Sequence, residues 1–342
     1  MTLSTRPERL GAILAGMQGK RVLVLGDLIA DEYIYGETSR VSREAPVLII
    51  RHAGRKVIPG GAGNAVLNLH ALGARPVPVG VVGAGEVSGE VLAELRGRGI
   101  ETGAVVRDRE RVAVRKTRVM AGGPHGQKQQ VMRIDQDESV PLSSALEDRL
   151  REVAAEHLAE CDAVLISDYG YGTVVPGIRD WLIAEARGRG LPVCADSRYS
   201  LREFVGVTFA TPNEPEAVES WGRPIRTEDD FRAAAEALRG ELEADFLLLT
   251  RGRDGMAVAE RSGAFHEVPI WGSQEAVDVT GAGDTVAATA LLALAAGGTP
   301  LEAAWLATVT AGIVVQKHGA ATTTPEEIER VAGIRREAPQ SR

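Results

Sequence analysis

The feature that most constrains this chain is a series of short, almost wholly apolar segments that alternate with helical patterns. Residues 22–25, 163–167, 192–195 and 246–250 form this series. A strand that is apolar on both faces must be covered on both faces, which is typical of a parallel sheet between two layers of helices. Hydrophobic residues make up 44% of the 342 residues and aromatic residues only 4%, so we expect an aliphatic core.

Polar residues follow several of these apolar segments directly. Asp27, Asp168, Asp196 and Asn213 each come just after one of them. In open α/β sheets the carboxyl ends of parallel strands share an edge, and ligands bind beyond that edge. These four side chains could therefore converge at one rim of the sheet; for Asp27 a turn or helix cap is the equal alternative.

Two stretches interrupt the alternation of strands and helices. Residues 33–58 and 112–134 contain short, partly alternating apolar patterns that fit no helical period. We predict that both stretches belong to one small β-sheet that lies over the main sheet as a lid.

Charge and hydropathy exclude several classes of partner. The formal net charge is −8, which argues against a general nucleic-acid binder. The longest apolar run is about half of what a membrane-spanning helix needs, and the N-terminal region lacks an apolar segment of signal-peptide length. Cys161 and Cys194 fit neither a disulfide framework nor a metal motif. We expect a cytoplasmic protein with no membrane or nucleic-acid partner.

The segment 277–285, Val-Asp-Val-Thr-Gly-Ala-Gly-Asp-Thr, carries the clearest chemistry. It precedes a long apolar run that we interpret as a buried helix. The backbone N–H groups and the dipole at a helix N-terminus favour an anion. Asp284 lies beside this predicted anion site, where a second negative group would be repelled. The arrangement makes sense if the anion is a phosphoryl group in transfer and Asp284 takes the proton of its acceptor.

A second glycine cluster, Pro59-Gly60-Gly61-Ala62-Gly63-Asn64, stands at another predicted helix start. Its glycines allow a ligand to approach the backbone closely, and the Asn64 amide can both donate to and accept from sugar hydroxyls. The alternative is a loop with an ordinary helix cap. We favour a binding role because the chain also contains the cluster at 281–284.

A third glycine-rich segment, 82–89, resembles the turn of dinucleotide-binding folds. That fingerprint expects an acid at the end of a second strand roughly twenty residues further on. Residues 103–108 do not form the pattern of a buried strand. We interpret the segment as a structural turn, which leaves a nicotinamide-dependent oxidoreductase as a minor alternative.

Together these features resemble the ribokinase-like, phosphofructokinase-B-type sugar kinases, over a region from Val22 to about Thr324. Besides the two clusters, the resemblance rests on the segments 213–216 (Asn-Glu-Pro-Glu) and 250–255 (Thr-Arg-Gly-Arg-Asp-Gly). It implies an enzyme that transfers phosphate from ATP to a hydroxyl group of a sugar. It also implies a single domain over residues 1–342, built as a three-layer α/β sandwich with a mostly parallel sheet and a β lid. Members of the family often form homodimers through the lid.

The resemblance also implies a role for individual residues around the transferred phosphoryl group. Asp284 is similar to the base, and the amides of Gly281, Ala282 and Gly283 to the anion hole. Those implied to bind ATP and its Mg²⁺ are Asn213, Glu216, Thr250, Gly252, Gly255 and Gly319, with Asn213 and Glu216 organising Mg²⁺ largely through water. Asp278 and Thr280 resemble a monovalent-cation site for K⁺, for which the alternative is a loop-stabilising Asx turn.

For the acceptor, the segments 38–46, 116–119, 130–135, 167–170 and 211–213 most resemble those of the D-glycero-β-D-manno-heptose 7-phosphate kinases, which phosphorylate an anomeric hydroxyl. The substrate contacts implied are Asp31, Gly60, Gly61, Asn64, Arg133, Asp168 and Arg198. Two positions depart from that branch: Tyr171 replaces a lysine, and Arg198 stands where a lysine is usual. Arg133, Lys116 and Arg40 could compensate for the missing lysine, and the alternative for each is a lid salt bridge or a solvated position. Another sugar such as fructose, fructose phosphate or ribose is the alternative substrate, and a non-catalytic sugar or nucleotide sensor is the alternative function.

Overall fold

The apolar segments assemble into one nine-stranded sheet. The computed structural model describes residues 7–123, 128–137, 140, 142–273 and 275–334. The strands of the main sheet are β1 (Arg21–Gly26), β4 (Arg75–Ala84), β5 (Val105–Val112), β8 (Ala163–Asp168), β9 (Val193–Ser197), β10 (Phe209–Ala210), β11 (Phe246–Thr250), β12 (Met256–Glu260) and β13 (Phe265–Val268). Their order is β13-β12-β11-β10-β9-β8-β1-β4-β5. All neighbours pair in parallel except β12, which is antiparallel to β11 and β13, so the expectation of a mostly parallel sheet is confirmed.

Helices cover both faces of this sheet. They are α1 (Pro7–Gly16), α2 (Ala62–Ala71), α3 (Glu86–Gly97), α4 (Ser144–Leu158), α5 (Pro176–Gly188), α6 (Glu214–Trp221), α7 (Glu228–Glu241), α8 (Ala282–Ala295), α9 (Pro300–Val314) and α10 (Pro325–Ala332). One core cluster draws buried residues from α1, α2, α3, α8, α9 and α10, and the other from α4 to α7. Within β1, Val22 and Val24 belong to the first cluster and Leu23 and Leu25 to the second. This alternation is the three-layer sandwich expected from the sequence.

The two interruptions form the predicted small sheet. It has four strands in the order β3-β2-β6-β7, where β2 is Leu28–Val41, β3 is Leu48–Gly61, β6 is Arg115–Gly122 and β7 is Gln129–Gln136. We call this sheet the lid. Its strands are longer than the sequence pattern suggested. A single residue, Asp27, separates β1 from β2, and β3 is followed directly by α2. The lid is therefore joined to the main sheet without a flexible linker on this side.

One strand of the main sheet was not predicted. Residues 103–108 lacked the pattern of a buried strand, yet β5 begins at Val105 and pairs in parallel with β4. Val105 is buried, whereas Arg107, Arg109 and Glu110 are exposed. An edge strand is covered on fewer sides than a central one, so its sequence is allowed to be polar. Val112, predicted to begin the lid, is instead the last residue of β5.

Two further expectations concern cysteines and membranes. Cys161 and Cys194 are both free thiols and both buried. Among the described residues, none of the helices combines the length and apolar character required to cross a bilayer.

Candidate functional site

The site is built on the N-terminus of α8. Gly281 is the residue before this helix and has a left-handed backbone, with φ of 78°. A Cβ atom at this position would lie 2.4 Å from Asn64 Nδ2, so both conformation and space require glycine. No side chain caps the helix, and Asp284 lies in its first turn with only 3% of its surface exposed. Glycine at this position thus allows the start of α8 to contact the Asn64 side chain directly.

The amides at this helix start are not equivalent. Ala282 N donates to Val279 O at 3.2 Å, so its N–H is already engaged. Gly281 and Gly283, by contrast, donate no backbone hydrogen bond to any described residue. Of the three amides expected to form an anion hole, the structure therefore leaves two free.

The Asp284 carboxylate is held by two donors from different parts of the chain. Asn64 Nδ2 donates to Oδ2 at 2.6 Å, and the Tyr169 hydroxyl donates to Oδ1 at 3.0 Å. Burial raises the pKa of Asp284 to about 6, although these two hydrogen bonds and the positive charge of Arg198 act in the opposite direction. Burial and the neighbouring Asp284 raise the pKa of Tyr169 well above its ordinary value, so its hydroxyl keeps the proton that it donates.

Asn64 reaches Asp284 because α2 packs against α8. Thr285 Oγ1 donates to Asn68 Oδ1 at 2.8 Å, and Asn68 Nδ2 donates to Asn64 O at 2.9 Å. Asn64 and Asn68 are one helical turn apart, so they lie on the same face of α2. The two helices are therefore locked in register by polar contacts beside the carboxylate.

A polar cleft opens in front of Asp284, between the main sheet and the lid. Its volume, counting the open solvent at its mouth, is about 370 Å³. Its lining residues are Ile29, Asp31, Gly61, Asn64, Lys116, Arg118, Tyr169, Arg198, Thr280, Gly281, Asp284 and Ala320. The lid supplies Asp31 from β2 and Lys116 and Arg118 from β6. Arg118 Nη1 lies 2.5 Å from Asp31 Oδ1, which neutralises one charge of each sign in the cleft.

Two cations in the polar cleft have no such neutralising partner. The side chains of Lys116 and Arg198 form no ion pair or hydrogen bond with any described residue. Arg198 lies over the ring of Tyr169 at 4.9 Å, and Lys116 Nζ lies 5.3 Å from the ring centroids of both Tyr169 and Tyr171. Lys116 is only 6% exposed, and burial together with the charge of Arg198 lowers its pKa. Unpaired, partly desolvated cations of this kind are stabilised by a bound anion.

A second, largely apolar cleft lies on the other side of the same helix start, and its volume, counting open solvent, is about 870 Å³. It is lined by Thr250, Gly252, Arg253, Gly255, Met256, Ile270, Trp271, Ser273, Ala276, Val279, Ala282, Gly283, Val286, Thr308, Ala311, Gly312 and Val315. Thr280, Gly281 and Asp284 face the polar cleft, whereas Ala282 and Gly283 face the apolar one. One turn of backbone thus borders both clefts.

Asn213 and Glu216 stand at the start of α6, near the apolar cleft. Asn213 Oδ1 accepts from Glu216 N and Glu216 Oε2 accepts from Asn213 N, both at 2.9 Å, which is a reciprocal capping box. Asn213 also pairs with Thr250, one of the cleft residues. Burial raises the pKa of Glu216. No group of three or more His, Cys, Asp or Glu in the described part of the chain could hold a metal ion, so Glu216 would share any ion with ligand oxygens and water.

Asp278 has a clear structural role. Its Oδ1 accepts from Thr280 N and its Oδ2 from Gly319 N, each at 2.9 Å. Burial raises the pKa of Asp278, but these hydrogen bonds outweigh burial and leave it below its ordinary value. The Asx turn that was the alternative to a cation site is therefore present, and Asp278 ties the loop before α8 to the loop at Gly319.

Three residues expected to contact substrate do not line the polar cleft. Asp168 accepts from Ser197 Oγ at 2.7 Å and Gly170 N at 2.9 Å. Arg133 pairs through two nitrogens with Asp135 on the lid, at 2.7 and 2.6 Å. Gly60 lies behind Asp31, where a Cβ atom would come within 2.3 Å of the carboxylate.

Asp27 has the structural role that was the alternative to a ligand contact. Like Asp168, it does not line the polar cleft, because its carboxylate accepts hydrogen bonds from a neighbouring loop. An aspartate directly after an apolar strand therefore does not by itself indicate a ligand contact.

The structure adds two residues that the sequence did not single out as part of the site. Tyr169 is the second donor to Asp284, and Arg118 brings charge from the lid. Lys116, which the sequence named as a cation that could compensate for Tyr171, also lines the cleft. The position of Tyr169 directly after an apolar strand was an available signal, because strand ends converge at this edge. Arg118 gave no such signal, since charged positions on an alternating strand are usually solvated.

A comparison with known proteins places the chain among relatives. A family model described as pfkB family carbohydrate kinase matches residues 20–327. Bifunctional protein HldE of Gluconobacter oxydans (strain 621H) is 38% identical over 312 residues, which cover 91% of this chain and 64% of the relative. The protein of the same name in Mesorhizobium japonicum is 39% identical over 326 residues, covering 94% of this chain and 64% of the relative. The chain thus spans less than two thirds of the length of these relatives.

Solved structures show the same fold at lower identity. Arabidopsis thaliana ribokinase complexed with ribose and ATP has a TM-score of 0.69 and 19% identity, covering 92% of this chain and 98% of that structure. Phosphofructokinase-2 from Escherichia coli in complex with potassium has a TM-score of 0.73 and 15% identity, covering 92% and 99%. The ribokinase-like architecture is therefore confirmed.

The environment of Asp284 makes a direct prediction about its ionisation. In ¹³C-Asp-labelled protein, we expect the carboxyl resonance absent from Asp284→Asn to titrate with a midpoint near pH 6, because burial disfavours the charged form. Tyr169→Phe removes a donor that stabilises the carboxylate, so its midpoint should be higher. Tyr171→Phe, which alters a neighbouring tyrosine without a hydrogen bond to Asp284, is the control. A midpoint near pH 4 in the wild type would contradict the described environment.

Proposed function

Because this chain belongs to the pfkB family of carbohydrate kinases, we propose that it transfers the γ-phosphoryl group of ATP to the anomeric hydroxyl of D-glycero-β-D-manno-heptose 7-phosphate. The observation that carries the proposal is the position of residues 281–284, which border both the polar and the apolar cleft. A donor nucleotide in one cleft and a sugar in the other would meet at this turn. We further propose that residues 1–342 act as one kinase domain in the cytoplasm, where ATP is available.

In this mechanism Asp284 is the general base. As the acceptor oxygen attacks the γ-phosphorus, its proton passes to Asp284 and the bond to the departing ADP oxygen breaks. The free amides of Gly281 and Gly283 would stabilise the charge on the transferred phosphoryl group, together with the dipole of α8. Donors placed in this way contribute roughly 3–4 kcal/mol each to lowering a barrier. A base with a pKa near 6 is largely ionised at neutral pH and still able to accept a proton.

We assign the apolar cleft to the nucleotide. Thr250, Gly252 and Gly255 lie at its edge, as expected for residues beside the phosphates and ribose. Mg²⁺, when bound, would neutralise phosphate charge in the manner usual for phosphoryl transfer. The half-buried Glu216 and the Asn213 beside Thr250 have the hard oxygen ligands that suit it, mainly through water. We retain Asp278 and Thr280 as a proposed K⁺ site next to Gly319, with the carboxylate keeping its hydrogen bonds to the two loops.

Two unpaired cations favour an acceptor that already carries a phosphate. Lys116 and Arg198 face the polar cleft without a described carboxylate partner, whereas Arg118 is matched by Asp31. A neutral sugar would leave both cations uncompensated, and a phosphosugar would pair with them. The motifs shared with the heptose 7-phosphate kinases and the similarity to proteins named HldE support the same choice. Asp31, Gly61 and Asn64 remain the proposed contacts to sugar hydroxyls. Gly60, Asp168 and Arg133, which do not line the cleft, would act on the substrate only indirectly.

The role of Asp284 can be tested by Asp284→Asn. We expect turnover to fall by about 10²–10⁴-fold because general base catalysis is lost, with ATP affinity retained. ADP release measured with heptose 7-phosphate and free sugars gives the rate, and calorimetry gives ATP binding. Turnover close to the wild-type rate would exclude Asp284 as the base. A wild-type protein that binds ATP but turns over no sugar would point instead to the sensor alternative.

Recognition of the substrate phosphate can be tested with Arg198→Ala. A hydrogen bond between charged groups contributes roughly 1.5–3 kcal/mol, so we expect KM for heptose 7-phosphate to rise about 10–150-fold. KM for the unphosphorylated heptose should change little. Arg202→Ala, which removes an exposed arginine paired with Glu241, is the matched control. Equal losses for both sugars would remove Arg198 from phosphate recognition.

We also propose that the lid pairs with the lid of a second copy of this chain. All residues of β7 are exposed, including the apolar Val131, Met132 and Ile134. Val41 and Leu48 in β2 and β3 are at least half exposed as well. A long, exposed and partly apolar edge strand normally finds a cover, because it offers both hydrogen bonds and apolar surface.

This pairing predicts a homodimer that charged substitutions disrupt. In sedimentation at micromolar concentration, we expect the wild type to be dimeric and Met132→Lys/Ile134→Lys to be monomeric. Val331→Lys, on an exposed position of α10 outside the lid, should leave the dimer intact. A monomeric wild type, or a dimer unaffected by the lid variant, would be incompatible with lid pairing.

A further inference from the structure

Asp27 is a buried carboxylate that the proposed chemistry does not use. It follows β1 directly, is 2% exposed, and forms no ion pair within the described residues. Its Oδ2 accepts from the backbone N–H groups of Tyr169 at 2.9 Å and Tyr171 at 3.0 Å, and its Oδ1 accepts from Thr173 N at 3.0 Å. All three donors belong to one loop, residues 169–173, which follows β8. A single side chain therefore satisfies alternate amides of the loop that carries Tyr169.

The backbone of Asp27 fixes a second element. Its carbonyl oxygen accepts from Ala62 N, the first residue of α2, at 3.0 Å. Gly61 approaches so closely that a Cβ atom there would lie 2.6 Å from this oxygen, and its φ of 57° also requires glycine. Asp27 N donates to Ser167 O at 3.2 Å, which holds β1 to β8 at the same point. The start of the helix that carries Asn64 is thus attached to Asp27.

These two attachments lead to the same carboxylate. Tyr169 comes from the loop held by the Asp27 side chain, and Asn64 comes from the helix held by the Asp27 backbone. Both donate to Asp284. We propose that Asp27 is a positioning residue of the kinase, which aligns the two donors to the Asp284 carboxylate without contacting the sugar or the phosphates. The proposal applies whichever sugar is the acceptor.

The chemistry of Asp27 suits this role. An ionised carboxylate is an acceptor at both oxygens and forms stronger bonds to N–H groups than a neutral acceptor does. An asparagine has one acceptor oxygen, and its NH₂ group would face at least one loop N–H without a partner. Asp27→Asn therefore loosens the loop while changing the size of the side chain very little.

The direction in which Asp27→Asn shifts the pKa of Asp284 distinguishes a positioning role of Asp27 from a purely electrostatic one. Removal of a nearby negative charge lowers the pKa of a carboxylate, whereas loss of a hydrogen-bond donor raises it. If Asp27 acts through Tyr169, Asp27→Asn raises the pKa of Asp284. If it acts only by its charge, the same substitution lowers it. Arg198, Asp31 and Asp196, whose charges also act on Asp284, are unchanged in the variant.

The test is the ¹³C titration of Asp284 in five proteins at equal salt. We expect the midpoint to be higher in Asp27→Asn than in the wild type. We also expect Asp27→Asn/Tyr169→Phe to resemble Tyr169→Phe alone, because the two substitutions remove the same interaction. The control is Asp162→Asn, which removes a carboxylate bonded to Arg21 N and Lys20 at the opposite end of β1. The control should lower stability and leave the midpoint unchanged.

An unchanged or lowered midpoint in folded Asp27→Asn would overturn the proposal, as would fully additive shifts in the double variant. Hydrogen exchange in the wild type gives an independent check if the variant fails to fold. We expect the amides of Tyr169, Tyr171 and Thr173 to exchange as slowly as those of β8, because each is bonded to a buried carboxylate. Exchange at the rate of an open loop would also overturn it.

Discussion

The whole site depends on one unfavourable placement, a carboxylate buried at the N-terminus of an apolar helix. Asp284 is removed from water by the packing of α8, which raises its pKa, and two hydrogen bonds partly restore the stability of its ionised form. Neither donor is local in sequence: Asn64 is 220 residues away and Tyr169 is 115 residues away. The fold must therefore bring α2 and the loop after β8 together at Asp284, because their two donors partly offset the rise in its pKa that burial causes.

The same helix start separates two clefts of opposite character. The apolar cleft suits a flat, weakly charged group, and the polar cleft suits hydroxyls and an anion. Because the free amides of Gly281 and Gly283 lie at the boundary, charge developing between the clefts would meet donors that are already oriented. The lid completes the polar cleft, since its strand β6 contributes Lys116 and Arg118 to the lining.

Carboxylates in and around the site have different roles because their partners differ. Asp284 receives donors that leave it facing a cleft. Asp168 and Asp27 direct both oxygens to loop amides or a hydroxyl and so hold the walls of the site in place. Asp31 is neutralised by Arg118 on the lid. Residue type alone does not distinguish these cases, whereas the identity and direction of the donors does.

The sequence by itself determined the sheet, the two helical layers, the lid and the glycine-rich turn before α8. Apolar periodicity follows from burial on each face, and glycines mark backbone shapes that other residues rarely adopt, so both leave a local trace. It did not reveal the polar edge strand β5, the role of Tyr169 or the engaged amide of Ala282. Only the tertiary structure decided that Asp284, and not Asp27 or Asp168, faces the cleft, and which cations remain unpaired. Hydrogen bonds and ion pairs between residues more than a hundred positions apart leave no periodic pattern, because they depend on how β1, β8, α2 and α8 meet in space.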